Sequence, residues 1–281
     1  MVDAEYSLRV RVVLLHLVCM SLLLSATAIA GGGVTNRPFT LVLDDSLYDF
    51  DSVRIGAYRL EKRIDPNEDP YLGSYDFVTA VLKRKGRVIA HIPKESVPSL
   101  LLRYGTVRII GGRSQQLLLE SSSGGAHGEL GFWVFDLGSG GRLIFDKSWY
   151  EESEWHITFE DLDHDGTYEI LLPLDCPFLK GISHAGQRRV ECVVSYNTGL
   201  HRFRAANHRF RKFLRSRLDQ LLLTTNADDP DIGDVVEVAC RYMLLGEKKA
   251  ALKYFEDHYT GSDKALIREE LSGWLKECHV E

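Results

Sequence analysis

The segment at residues 161–169, DLDHDGTYE, carries side-chain oxygens at a spacing that suits a cation, and it is called the carboxylate loop below. Carboxylates occupy its first, third, fifth and ninth positions, and they would repel one another strongly without a cation. Calcium takes about six to eight oxygen ligands at roughly 2.3–2.6 Å, and alternate carboxylates can surround one such centre. Gly166 allows a sharp turn, and the next backbone carbonyl supplies an uncharged oxygen. The loop therefore predicts a Ca2+ site formed by Asp161, Asp163, Asp165, Thr167 and Glu169.

The flanks of the carboxylate loop distinguish it from an EF-hand. An EF-hand has helices on both sides and a bidentate Glu at its twelfth position. Position twelve here is Leu172, and residues 155–159 and 169–172 have the composition of strands. Two other interpretations stay open, a metal-free acidic turn and a magnesium site, although magnesium prefers water-rich octahedral coordination. The expected role of the ion is structural, because binding to the native state alone stabilises that state.

The carboxylate loop resembles the calcium loops of FG-GAP or integrin-α-type repeats and related VCBS-like β modules, in which the loop joins two strands. A second segment, LLLESSSGGAH at 117–127 followed by GFWVF at 131–135, looks like part of small exported bacterial proteins built on that theme. The cysteines expected after His127 are replaced by Gly and Glu, so no disulfide forms there. The resemblance covers residues 116–204. It implies a calcium-binding β domain in mostly uncharacterised families, some of whose members look like inhibitors or immunity proteins against exported hydrolases.

The periodicity of apolar residues divides the chain into a strand-like and a helix-like part. From about residue 38 to 203, short apolar runs alternate with Gly, Asp, Asn and Ser clusters, which predicts antiparallel sheets. Predicted strands lie at 39–43, 87–92, 107–110, 116–120, 131–135, 142–145, 155–159, 169–172 and 190–195. Helical periodicity predicts helices at about 208–223, 232–245, 247–259 and 262–278. The expected fold class is mainly β, sandwich- or propeller-like, with a β domain at 36–205 and a helical hairpin domain at 206–281.

The helical part contains one segment, residues 242–255, that looks like a single tetratricopeptide hairpin. Arrays of such hairpins need about three repeats for stability, so these helices are expected to pack against the β domain. Gly246 and Gly261 are predicted to end the second and third helices as left-handed C′ residues.

The first thirty residues have the parts of a secretory signal peptide: two arginines at 9 and 11, an apolar run, and small residues at 25–30. Cleavage is expected after Ala28 or Ala30, which predicts a secreted or periplasmic protein without stable membrane insertion. The alternative is an uncleaved anchor, since residues 12–30 are almost long enough to span a bilayer.

Four cysteines remain after removal of residues 1–30, and an even number in an exported chain permits two disulfides. Three pairings are open. Cys176–Cys192 with Cys240–Cys278 is the pairing of sequence neighbours, and free buried thiols are the alternative.

The chain is acidic overall, with a net charge of −6 and a pI of about 5.9, so no nucleic-acid partner is expected. A basic run at 202–217 is the local exception. It is interpreted either as the solvated face of a helix or as a patch for an anionic surface.

No combination of nucleophile and base with a recognisable spacing occurs in the sequence. The expected function is therefore binding: an exported, calcium-stabilised, non-catalytic scaffold for a protein or polysaccharide partner, with hydrolase inhibition as one form. The competing hypothesis is an envelope hydrolase that uses His127 with a carboxylate partner, although a structural histidine in that turn is the simpler interpretation. A third is a structural envelope protein anchored by its N-terminus.

Overall fold

Among the residues that the structure describes, strands come first, up to residue 205, and helices follow. The computed structural model describes residues 39–40, 48–65, 77–92, 101–122, 128–151, 157–179, 187–225 and 230–277. Its strands are β1 Phe39–Thr40, β2 Tyr48–Asp49, β3 Ser52–Ile55, β4 Tyr58–Asp65, β5 Phe77–Arg84, β6 Arg87–Ile92, β7 Leu101–Val107, β8 Gln116–Ser122, β9 Gly128–Asp136, β10 Arg142–Glu151, β11 Thr158–Glu160, β12 Glu169–Asp175, β13 Arg189–Asn197 and β14 Arg202–Ala205. Its helices are α1 Arg211–Thr224, α2 Ile232–Leu244, α3 Lys248–His258 and α4 Lys264–Glu277.

The described strands form three antiparallel sheets. Sheet I has the order β3-β4-β5-β6, sheet II has β10-β9-β8-β7-β2, and sheet III has β1-β11-β12-β13-β14. Each sheet is built from four consecutive strands in up-and-down order, and one short N-terminal strand is added to sheets II and III. No closed barrel is present among these strands. The expectation of a mainly β chain with C-terminal helices is confirmed.

Sheet II is the central layer because both of its faces are apolar. In β9, Phe132 and Val134 belong to a core shared with sheet III and the helices, whereas Trp133 and Phe135 belong to a core shared with sheet I. Successive side chains of a strand point to opposite faces, so the two neighbouring sheets pack on opposite sides of sheet II. Full burial of each such side chain contributes roughly 1.5–3 kcal/mol.

The helices pack on sheet III. Val235, Ala239 and other buried residues of α2 belong to the same core as Val190 and Cys192 of β13. The indole N–H of Trp274, on α4, donates a hydrogen bond to the backbone carbonyl of Asp175 at 2.7 Å. Helices and sheet therefore share one core. The boundary predicted at residues 205/206 stays a prediction.

The helix ends agree with the sequence prediction in one of two cases. Gly246 follows α2 with a φ of +75°, as expected for a C′ glycine. Gly261 does not adopt a left-handed conformation, because α3 ends at His258 and the next residue, Tyr259, is already extended with a ψ of 121°. None of the four described helices is both long and apolar enough to cross a membrane.

The predicted pair Cys176–Cys192 is not formed, since Cys176, Cys192 and Cys240 are buried residues outside any disulfide of the described chain. Strand register gives the reason. Cys192 lies opposite Leu172, whereas the backbone N–H of Cys176 bonds the carbonyl of Arg188, four residues further along. Four residues of strand span about 13 Å, and a disulfide needs Cα atoms within roughly 7 Å. Cys278 and residues 1–30 lie outside the described residues.

Candidate cation site

The carboxylate loop connects two paired strands, β11 and β12. Glu160, the last residue of β11, lies opposite Glu169, the first residue of β12. The end of the loop is fixed to the β7–β8 connection, because the backbone N–H of Tyr168 donates to the carbonyl of Ile109 at 2.7 Å. The position of the loop is therefore set by two sheets.

Hydrogen bonds to the first carboxylate fold the loop upon itself. The carboxylate of Asp161 accepts the backbone N–H groups of Asp165 and Gly166, each at 3.1 Å. One oxygen of Asp165 accepts the N–H of Thr167 at 2.8 Å. Each carboxylate oxygen has two lone pairs, so these bonds leave acceptor capacity for a cation. Gly166 sits at the tightest point with a φ of +83°.

Three of the predicted ligands are brought together. Asp161, Asp163 and Glu169, called the carboxylate triad below, each place one oxygen within 4.8 Å of the others. Oxygens that share one calcium ion at about 2.4 Å lie within roughly 5 Å of one another, so this spacing suits a cation. Asp165 lies outside the triad and contacts Thr167 and Arg209 instead. The N–H of Thr167 is directed into the loop, and the role of its carbonyl stays a prediction.

Glu169 is the buried member of the triad, with no exposed surface. Its two oxygens accept the N–H of Leu162 at 3.0 Å and the hydroxyl of Ser195 at 3.2 Å. Burial raises the pKa of Glu169 from its usual 4.5 to about 7; the bond from Leu162 opposes this rise, and the negative charge of Asp163 adds to it. A cation beside the carboxylate would favour the ionised form, so cation binding and proton release are linked.

Arg209 is a member of the site that the sequence analysis did not assign to it. It lies between β14 and α1, and its guanidinium forms a short ion pair with the carboxylate of Asp163. The same group lies 3.6 Å from an oxygen of Asp165 and 3.3 Å from the hydroxyl of Ser195. Forty-six residues separate Arg209 from Asp163, so no local sequence pattern could indicate the contact.

Other members of the basic run also face acidic side chains. Arg211 and Arg215 both pair with Glu247, and Arg217 lies 3.6 Å from Glu191. With Arg209, four of its seven cations therefore have acidic partners within the protein, which reduces the positive charge that this face presents.

The backbone at Gly166 gives a test of loop strain. Gly166→Ala is expected to lower the free energy of unfolding by about 1–2 kcal/mol, because an L side chain is strained at positive φ. An added Cβ would meet no atom within 4 Å, so steric overlap contributes nothing. Gly166→Asn should cost less, since Asn tolerates this conformation better. Urea unfolding in EDTA measures both variants, and a larger loss for Asn than for Ala would contradict this account.

The hydrolase hypothesis depends on His127. His127 lies outside the described residues, and so do His156 and His184. His164 is exposed in the loop at a φ of 59°. The hydrolase hypothesis stays a prediction.

No protein family, curated protein or solved structure gives a significant match to this chain. Any assignment of function therefore depends on the geometry of the carboxylate loop and its neighbours.

Proposed function

We propose that this protein binds one calcium ion at the carboxylate loop and acts as an exported, non-catalytic binding protein. The observation that carries the proposal is the carboxylate triad, in which Asp161, Asp163 and the buried Glu169 converge within 4.8 Å. Three carboxylates at this distance disfavour one another's charge, and a divalent cation relieves that repulsion. The burial of Glu169 makes the need for a counter-charge greater.

Calcium fits this arrangement better than magnesium does. Calcium accepts irregular shells of about six to eight oxygens, whereas magnesium requires a near-ideal octahedron and retains several waters. The loop offers further oxygens next to the triad, and we assign Asp165 and the backbone carbonyl of Thr167 as additional ligands. The ion would hold β11 and β12 together at their loop, so its role is structural.

The arrangement of strands supports an FG-GAP-like or VCBS-like β domain. Three successive sheets each contain four up-and-down strands, as the blades of a propeller do, and the carboxylate loop joins neighbouring strands of one sheet. Such a domain presents loops and strand edges to a protein or polysaccharide partner. Export is proposed from the signal-like composition of residues 1–30.

Thermal unfolding of the purified protein tests the calcium site. Millimolar calcium is expected to raise the Tm by about 2–4 °C over EDTA, because a ligand at about ten times its Kd adds roughly 1.4 kcal/mol. Magnesium at the same concentration should have a smaller effect. Asp163→Asn should abolish the shift, since it removes a charged ligand.

A matched control separates ligand loss from loss of negative charge. Asp219→Asn changes an exposed carboxylate on α1 that is not part of the carboxylate triad, and it should keep the calcium shift. Equal shifts with calcium and magnesium, or an undiminished shift in Asp163→Asn, would rule out the proposed site.

A further inference from the structure

We propose that Arg209 is an internal counter-cation of the carboxylate loop, which a bound calcium ion displaces, so that this side chain sets the affinity of the site. The inference rests on the proposed calcium site. It assigns a regulatory role to a residue that lies outside the loop, at the junction between the sheets and the helices.

Contacts around the guanidinium place it as a competitor for the triad's charge. Arg209 pairs with Asp163 and also contacts Ser195, whose hydroxyl donates to Glu169 at 3.2 Å. The residues Glu169, Ser195, Arg209 and Asp163 thus form a continuous chain of polar contacts that begins and ends in the triad. A calcium ion shared by Asp163 and Glu169 would draw on the same negative charge that now holds the guanidinium.

Two cations that share one carboxylate repel each other, because Coulomb repulsion grows as the charges approach. The guanidinium carries a single charge and the ion carries two. Binding of the ion therefore weakens the contact between Arg209 and Asp163, and the contact in turn opposes binding of the ion. Linkage requires both effects to be equal in size.

The backbone around Arg209 is held in place, so the displacement is a movement of the side chain. The backbone N–H of Ala206 donates to the carbonyl of Val193 at 2.8 Å, and the N–H of Val193 donates to the side chain of Asn207 at 2.8 Å. The side chain of Arg209 is 47% exposed, which leaves it a path into solvent. It already lies over the ring of Phe210, with 5.2 Å between the guanidinium carbon and the ring centroid.

The surroundings of the released guanidinium are unfavourable, which strengthens its competition with calcium. Arg209 precedes α1, whose first turn begins with Arg211 and Lys212 and contains no acidic residue. The N-terminal end of a helix carries partial positive charge. A guanidinium that leaves Asp163 therefore remains beside the positive end of α1, so its contact with Asp163 also relieves repulsion there.

Calcium titration of the full-length protein by calorimetry tests the inference. Arg209→Gln is expected to bind calcium roughly 5- to 20-fold more tightly than the wild type, since a neighbouring positive charge is removed. Arg209→Lys keeps the charge and should stay within about threefold of the wild type. Arg217→Gln is the matched control, because it removes a partly exposed arginine of α1 that pairs with Glu191, and its affinity should change less than about twofold.

A second measurement does not depend on calcium. Thermal unfolding in EDTA of Arg209→Gln, Asp163→Asn and the double variant should show that the two losses in Tm are not additive, because both remove the same ion pair. In saturating calcium, the difference in Tm between Arg209→Gln and the wild type should shrink.

The outcomes separate failure of this inference from failure of the proposed function. If the wild type binds calcium and Arg209→Gln binds it equally or more weakly, Arg209 supports the loop, and the inference is overturned while the calcium site stands. If neither protein binds calcium at 10 mM, the proposed site fails and the inference fails with it.

Discussion

Glu169→Gln is expected to make the calcium-free protein more stable at pH 8, by about 1–3 kcal/mol, while it abolishes stabilisation by calcium. The wild-type side chain is fully buried and ionised at that pH, whereas the amide has no charge to bury. The amide can also keep both contacts, since its oxygen can accept from Leu162 and its NH2 group can donate to the hydroxyl of Ser195, which reverses the direction of that bond. A single substitution is thus expected to raise the stability of the calcium-free protein and to remove the stabilisation by calcium.

The pH dependence of this effect has a definite sign. Burial raises the pKa of Glu169 in the native state to about 7, from an ordinary value of 4.5 that the unfolded chain retains. Between these values the native state binds more protons than the unfolded state, so the stability of the calcium-free wild type falls as the pH rises. Below about pH 4.5 both states are protonated, and the advantage of Glu169→Gln should vanish.

Urea unfolding in EDTA from pH 4 to 8 measures the difference in stability between Glu169→Gln and the wild type. The same series in calcium measures the loss of stabilisation by calcium. Glu160→Gln is the matched control, because Glu160 lies directly opposite Glu169 on β11 and is only partly buried. It should show neither the gain at pH 8 nor the loss of calcium stabilisation. A Glu169→Gln variant that is less stable than the wild type at pH 8 in EDTA would contradict the assigned environment.

Trp274→Ala is expected to lower the free energy of unfolding by about 3–5 kcal/mol. The indole of Trp274 is almost completely buried between α4 and sheet III, and its N–H donates to the carbonyl of Asp175. Trp274→Phe keeps most of the ring volume and removes the donor, so it should cost about 1–3 kcal/mol for the unsatisfied carbonyl. The two variants separate packing from hydrogen bonding.

Denaturant unfolding, followed by far-ultraviolet circular dichroism and by intrinsic fluorescence, measures the loss of stability in the Trp274 variants. The helices share one core with sheets II and III, so both signals should move together to lower denaturant concentrations. Leu266→Ala is the matched control on the same helix, because Leu266 is 54% exposed and should cost less than about 0.5 kcal/mol. A helical transition that separates from that of the sheets would contradict a shared core.

The sequence predicts strands well where apolar runs end at turn residues. The run at 87–92 coincides with β6, and the run at 169–172 marks the start of β12. The run at 107–110 fails, because β7 ends at Val107 and Ile109 is buried in the connection that follows. There the backbone of Ile109 bonds the side chain of Gln116 and the N–H of Tyr168. An apolar residue can therefore be buried without belonging to a strand.

The candidate site divides in the same way into local and distant parts. The carboxylate loop can be predicted because its side chains lie within nine residues, and a local spacing determines how they converge. Ser195 and Arg209 reach it through the pairing of β12 with β13 and the turn after β14, 26 and 46 residues from their acidic partners. Sheet register decides these contacts, and it also separates Cys176 from Cys192. The spacing of residues along the sequence does not show which residues of neighbouring strands are paired.

The two apolar faces of sheet II have a consequence for how its strands become aligned. In a sheet with one solvent-exposed face, a register slip by one residue exposes the apolar side chains and is therefore unfavourable. In sheet II the same slip exchanges one apolar face for the other. Polar side chains at matched positions remove this ambiguity. Arg103 lies directly opposite Glu120, and Gln116 lies opposite Asp136 at the other end of β8, with 3.4 Å between their side chains. A slipped strand would bury these groups without partners. A few polar residues therefore specify the register in sheet II, whereas in other sheets the alternation of apolar and polar residues specifies it.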